Sequence, residues 1–309
     1  MKRIRKSCIF ILLALSLMVV PIPLSADAEG GQPDLSGQIR MGNQVTYWIH
    51  ADGTVAYRGY EFYDAAVDGL TDVLELSRGT TQTLVLERDR SVWAWGSNFN
   101  GELGDGSYTE RDSPVKVAGL SNVAAIAAGS YYSMALLSDG TVWAWGSNFY
   151  GRSGQANTSL KYPTPVRVGS LTNMTAIAAC GQFSLALRQD GTVWSWGYNA
   201  DGELGDGTIV AQRSTPEAIQ GLSSIQAIAC GVGHSVALKA DGTVWTWGNN
   251  GSGQLGSADR SADYNRPVQV PSLTGVAAIG AGNFSTIALK NDGTVWTWGY
   301  NAKGLGDGS

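Results

Sequence analysis

Histidine is nearly missing: the 309-residue chain has His50 and His234 and no others. The two have no metal-ligand spacing, and no Gly-x-Ser-x-Gly elbow follows a strand-like run. The common zinc and serine-nucleophile arrangements are therefore unsupported. Cysteine is scarce, with Cys8, Cys180 and Cys230, and proline is modest at 9 residues. Charged residues make up 15% of the chain, the net charge is −5, and no Lys/Arg stripe stands out. Such a balance makes nucleic acid a poor partner. Beyond the N-terminus, no apolar run reaches membrane-spanning length. Apolar content is still ordinary at 43%, enough for a packed core.

The N-terminus reads as an export signal. Lys2, Arg3, Arg5 and Lys6 form a basic head, and Cys8 to Val20 is apolar. Ala26-Asp27-Ala28 suits cleavage after Ala28. Pro21 and Pro23 break the run, which argues against a retained anchor. Removing residues 1–28 takes away four positive charges and one negative, and moves the net charge from −5 to −8. The expectation is a secreted or cell-surface chain, with a signal peptide at 1–28 and one domain at 29–309.

Glycine is abundant, at 41 residues, and it recurs in register with a phrase. Asp-Gly-Thr-Val-Trp-x-Trp-Gly runs Asp139 to Gly146, Asp190 to Gly197, Asp241 to Gly248 and Asp292 to Gly299. Worn copies begin at Asp89 and Asp52, so the steps are 37, 50, 51, 51 and 51 residues. Repeats of that period are supersecondary units that bury their cores against one another. The unit cores fall at about 37–69, 70–119, 120–170, 171–221, 222–272 and 273–309, the last one partial.

Each unit divides into four short apolar runs bounded by Gly or Asp-Gly. For the third unit these are Val123–Ala128, Ser133–Leu137 and Thr141–Trp145, with Pro114–Val117 of the preceding return as the outer run. Asp139-Gly140 suits a two-residue hairpin. No helix of useful length fits between the breaks. Four short antiparallel strands per repeat predict an all-β fold, a β-propeller with one four-stranded blade per unit. Proline then belongs to the outer strand, where a missing N–H costs no ladder bond. The Ala-Ala-Gly run belongs at the axis.

Ten of the eleven tryptophans form the Trp-x-Trp pairs: Trp93 and Trp95, Trp143 and Trp145, Trp194 and Trp196, Trp245 and Trp247, Trp296 and Trp298. Alternation places both members on one face, and they read as structural core between blades. Cys180 and Cys230 sit almost one repeat apart. Cys180 lies three residues after Ile177, but Cys230 lies two after Ile228, which in strands would aim them to opposite faces. They read as two small buried residues, not as a bridge.

The string Ile126–Gly129, Ala135-Leu136, Asp139–Gly146, Asn148, Gly151 and Gly154 resembles the regulator-of-chromosome-condensation repeat family. The resemblance covers about 37–309. It implies a β-propeller, often seven-bladed. Six hairpin cores are countable here, so the propeller is expected to be incomplete. It also implies, for the best-known member, nucleotide exchange on a nuclear GTPase. An exported chain would lack that partner. Exported bacterial members imply instead the clamping of a protein with loops of one face.

Topology puts the Gly129-type turns and the loops after Trp-Gly on one face, and the Asp-Gly hairpins on the other. The first face varies most between copies. Its candidate partner-binding residues are Phe99, Asn100, Tyr131, Tyr132, Phe149, Tyr150, Arg152, Phe183, Tyr198, His234 and Phe284. Aromatics on rigid loops are the usual material of binding hot spots. The leading expectation is a non-enzymatic scaffold for a protein partner, with a carbohydrate or cell-wall binder as the alternative. A hydrolase or lyase using Glu102 and Glu203 is weaker still. No cofactor or metal is expected, because Gly104-Asp105-Gly106 and Gly205-Asp206-Gly207 lack the alternating acids of a calcium loop and read as turns.

Overall fold

The computed structural model describes residues 2–3, 39–42, 45–50, 52–58, 64–156, 159–257, 259 and 262–300. Among them the chain forms strands and a single 3-10 turn. The expected export signal lies almost wholly outside the described residues, as does the last loop, 301–309.

The strands assemble into six sheets of four. In the third blade the chain runs out from the axis through Val123–Ala128, Tyr132–Leu137, Val142–Ser147 and Lys161–Arg167, each antiparallel to its neighbour. The second blade spans Val73 to Lys116, the fourth Met174 to Ala218 and the fifth Ile225 to Gln269 in the same order. The first blade spans Ile39 to Ala66. The sixth contributes three strands between Val276 and Gly299, and Lys2–Arg3 lies beside Val295–Gly299 at its outer edge. The predicted outer run of the third unit is corrected by this order. Pro114 lies in Arg111–Lys116, which closes the second blade, and the third blade uses its own strand, Lys161–Arg167. Pro114, Pro165, Pro216 and Pro267 all occupy outermost strands.

The cores lie between sheets, not within them. Met134, Leu136, Val142 and Ala144 of the third blade pack on Met174, Ile177, Ala186 and Trp196 of the fourth. The same arrangement joins the fourth to the fifth and the fifth to the sixth. The Asp-Gly hairpin joins the second and third strands of the blade. Asp139 accepts the Thr141 N–H at 2.9 Å and its hydroxyl at 2.7 Å, which fixes the turn. Gly140 takes φ of 77°, and a Cβ there would stand 2.9 Å from the Asn173 Cα of the next blade. Only glycine meets both demands.

The tryptophan expectation needs one refinement. The second indole of each pair, Trp95, Trp145, Trp196, Trp247 or Trp298, is buried. The first, Trp93, Trp143, Trp194, Trp245 or Trp296, is half-buried toward the hairpin side. Arg188 and Lys239 lie over Trp194 and Trp245, 4.2 and 5.0 Å from the ring centroids.

The cysteine expectation is overturned. Cys180 and Cys230 form a disulfide with Cα atoms 5.6 Å apart. Cys230 is the last residue of its innermost strand, Ile225–Cys230, while Cys180 lies just past Met174–Ala179, in the turn. Alternation along a strand does not govern a residue that has left it. The turn swings Cys180 round to meet the neighbouring blade near the axis.

Candidate functional site

The loops after Trp-Gly are built on one asparagine each. Asn98 Nδ2 donates across the loop to Thr109 O at 3.0 Å, while its Oδ1 accepts Leu103 N–H at 3.0 Å. Asn148, Asn199 and Asn250 do the same, toward Ser159 O, Thr208 O and Asp259 O. A single side chain thus ties both ends of the loop together. Asp105 and Asp206 serve the same loops as turn formers. Asp105 accepts Ser107 N–H and pairs with Arg111, and Asp206 accepts Thr208 N–H and pairs with Arg213.

Each loop is then clasped by the following blade. Trp145 Nε1 donates to the Glu102 carbonyl at 2.9 Å, and Ser133 Oγ donates to the same oxygen at 2.8 Å. Arg152 O receives Trp196 and Ser184, Glu203 O receives Trp247 and Ser235, and Gln254 O receives Trp298 and Thr286. A buried indole N–H needs an acceptor, and this carbonyl supplies it. The loops are therefore rigid because the core of the next blade holds them.

Tyr132, Phe183 and His234 do not belong to an exposed rim. All three have no exposed surface, because their column lies directly beside the clasp, between blades. Tyr132 Oη donates to Phe183 O at 2.5 Å and accepts Cys180 N–H at 3.1 Å. Burial pushes its phenol up to about 12. His234 Nε2 meets Thr286 Oγ1 at 3.0 Å, and burial pushes the imidazole down to about 4. Thr286 donates its own proton to Gln254 O, so the histidine Nε2 carries the hydrogen between them. Phe284 is shifted by one place: the column continues at Ser285, opposite Gly299, and Phe284 stands outside it, 45% exposed.

Of the remaining predicted residues, Phe149, Tyr150 and Tyr198 form one chain of ring contacts. Phe99 is 70% exposed, Phe149 52% and Tyr131 43%, and Asn100, Tyr150 and Tyr198 are half-buried. Phe149 and Tyr150 have ring centroids 5.0 Å apart, and Tyr150 and Tyr198 4.9 Å, both edge to face. Arg152 is buried beneath them. Sequence reading missed the apolar tips farther out. Leu160, Ile209 and Val210 are all exposed, and Tyr108 carries Lys161 Nζ 4.2 Å from its ring. They sit just before the outer strands, at places where loop length varies and no column is visible.

Glu102 and Glu203 are buried, not poised at an open axis. Each carboxylate accepts an N–H of its own loop, Asn100 at 2.7 Å and Asp201 at 2.9 Å. Burial raises both, Glu203 to about 7. Among the described residues no cluster of three His, Cys, Asp or Glu side chains stands ready for a metal.

Radial four-stranded sheets, each clasped by the next through a buried indole, define a β-propeller of repeated blades. The chain belongs to the RCC1-like domain family, whose model matches residues 63–309. It is 37% identical over 149 residues to the probable E3 ubiquitin-protein ligase HERC6 of Homo sapiens, covering 46% of this chain and 15% of that protein. It is 31% identical over 258 residues to the ultraviolet-B receptor UVR8 of Arabidopsis thaliana, covering 79% of this chain and 58% of the receptor. Its fold is similar to human WBSCR16, with a TM-score of 0.78, 25% identity and coverage of 93% and 81% of the two chains. Yeast RCC1 (Prp20) bound to Kap60 gives 0.76 at 21% identity, covering 85% of this chain and 69% of that one.

Proposed function

We propose that the chain is an exported, non-enzymatic platform that binds a protein partner through the loop face of its second to fourth blades. The observation that carries this is the exposure of Phe99, Phe149, Leu160 and Ile209 on loops whose backbone is locked by Asn98, Asn148 and Asn199. Large apolar side chains on a preformed surface lose little freedom on binding, and exposed patches of them mark interaction sites. Export rests on the basic-then-apolar N-terminus. A protein partner is in keeping with structural relatives: yeast Prp20 is described bound to Kap60 and with binding properties to Gsp1p and histones. The particular partners of those proteins are not carried over, because the loops that vary between copies are the surface at issue.

A polymer of sugars fits this face less well. Sugar rings pack on flat, accessible aromatic faces. Tyr150 and Tyr198 meet at 63°, edge to face, and the aliphatic tips Leu160, Ile209 and Val210 stand exposed beside the aromatic Phe99 and Phe149.

The test is a pull-down from the secreted fraction with the whole chain and with a Phe99→Ala, Phe149→Ala, Tyr198→Ala variant. The expected result is a protein retained by the first and lost by the second, with unchanged circular dichroism. Equal retention by both, or retention of a cell-wall polymer alone, counts against the reading.

A further inference from the structure

Arg152 is the odd member of its column. Its equivalents in the second, fourth and fifth blades are Glu102, Glu203 and Gln254. Each of those offers an acceptor to the N–H two residues earlier: Asn100 at 2.7 Å, Asp201 at 2.9 Å and Ser252 at 2.8 Å. A guanidinium has no acceptor to offer. Tyr150 therefore loses that partner and takes φ of 63° within the turn Phe149–Gly151. The guanidinium donates instead from Nε to Phe149 O at 2.8 Å and from Nη1 to Ser130 O at 2.7 Å. The residue after Ser130, Tyr131, has φ of 64°. Two tyrosines in the left-handed region, flanking one arginine, are a local departure from the repeat that favours neither side chain.

The charge itself has no counter-ion among the described residues. Arg152 is 5% exposed, and no ion pair includes it, whereas Arg111 pairs with Asp105 and Arg213 with Asp206 and Glu217. The ionisable groups that face it are Tyr132, Tyr150 and Tyr131. Its Cζ lies 5.9 Å from the ring centroids of both Tyr132 and Tyr150. Among the described residues Nη2 has no hydrogen-bond partner, and it is not fully shut off from solvent. A donor that is already desolvated and fixed by two carbonyls gains more from a carboxylate than a mobile surface lysine does.

We infer that Arg152 is the receptor for one acidic side chain of a protein partner, an Asp or Glu seated beside Tyr131 and Tyr150 on an otherwise apolar segment. This deepens the platform reading and rests on it. The neighbouring exposed tips, Leu160 and Ile209, supply the apolar surface for the rest of that segment. A polyanion such as nucleic acid is disfavoured. It would lie across the next loop, where Asp201 stands beside Tyr198.

The test uses the whole chain and a random twelve-residue peptide display library as probe. Retained peptides are expected to share an Asp or Glu beside aromatic or aliphatic residues. A synthetic peptide from that set should bind at least about tenfold more weakly when its acid becomes the amide. Arg152→Gln should cost about the same, and the two changes together should cost no more than either alone. Glutamine is chosen because the fifth blade folds with Gln254 at this place. If the variant does not fold, the acid-to-amide change in the peptide decides by itself. Retained peptides without a shared acid, or an acid-to-amide change without effect, overturn the assignment of Arg152. If those peptides still depend on Phe99 and Phe149, the platform reading survives it. Retention of no peptide overturns the inference, and retention of a cell-wall glycan in its place removes the platform reading as well.

Discussion

At the scale of single residues, the repeat allows one blade to serve as control for another. Glu203 and Gln254 hold the same place, are equally buried and accept the same kind of loop N–H. Burial raises the Glu203 carboxyl to about 7, with Asp201 and Asp263 adding to it. A carboxyl raised in the fold stabilises it fully below the unfolded value near 4.5, and that contribution is lost as pH rises through 7. The loss amounts to about 3 kcal/mol at most, from roughly 1.4 kcal/mol per pKa unit. Glu203→Gln is therefore expected to raise stability by about 1–3 kcal/mol at pH 8 and to change it little at pH 4, measured by urea unfolding at both. A variant less stable at pH 8 would refute this. His234 works in the opposite sense. Its imidazole is lowered to about 4, so stability present above the unfolded value near 6.5 falls away as pH drops toward 4. Sequence reading placed His234, Tyr132 and Phe183 on the rim from their residue types. Counting back seven from each Asp of the hairpin would have separated this buried column from Phe284. Their burial, however, depends on the neighbouring blade and is not written in any local pattern.

At the scale of elements, the strands and hairpins were legible because their punctuation is local: Asp-Gly at one end, a Gly turn at the other, proline on the outside. The disulfide was not, because it depends on where a chain leaves its strand. Cys180 takes the turn place that Gly129 and Gly231 hold in the blades on either side. The bridge joins that turn to the end of the next innermost strand, 50 residues on in sequence. Closing a loop of that size in the unfolded chain contributes about 2–4 kcal/mol. Cys180→Ala with Cys230→Ala should lower unfolding stability by that amount, and a reducing agent should bring the unaltered chain down to the same value. If the reducing agent leaves the denaturation midpoint unmoved, the bridge is not a structural staple. The turn it secures also bears on the candidate site: Cys180 accepts Ser130 N–H through its carbonyl at 3.3 Å, and its own N–H goes to the Tyr132 hydroxyl.

At the scale of the whole molecule, the fifty-residue period settled the architecture before any single residue was considered. Nothing comparable settles the partner, because a binding face is made where copies differ. Stability should follow the period too. In a stack whose units touch only their neighbours, the stability of each unit depends on how many neighbours hold it. The third, fourth and fifth blades each clasp the loop before them and have their own loop clasped by the blade after. The fourth and fifth are bridged as well. The sixth blade clasps the fifth, and among the described residues its outer edge has only Lys2–Arg3 beside it, within the segment expected to be cleaved. Amide hydrogen exchange of the chain lacking residues 1–28 is expected to be slowest in Phe183–Arg188 and His234–Lys239 of the fourth and fifth blades. It should be several-fold faster in Val295–Gly299, which then lacks its pairing with Lys2–Arg3. Equal protection of Val295–Gly299 would mean that another segment fills that edge, and the stack would then have to be read as closed at its sixth blade.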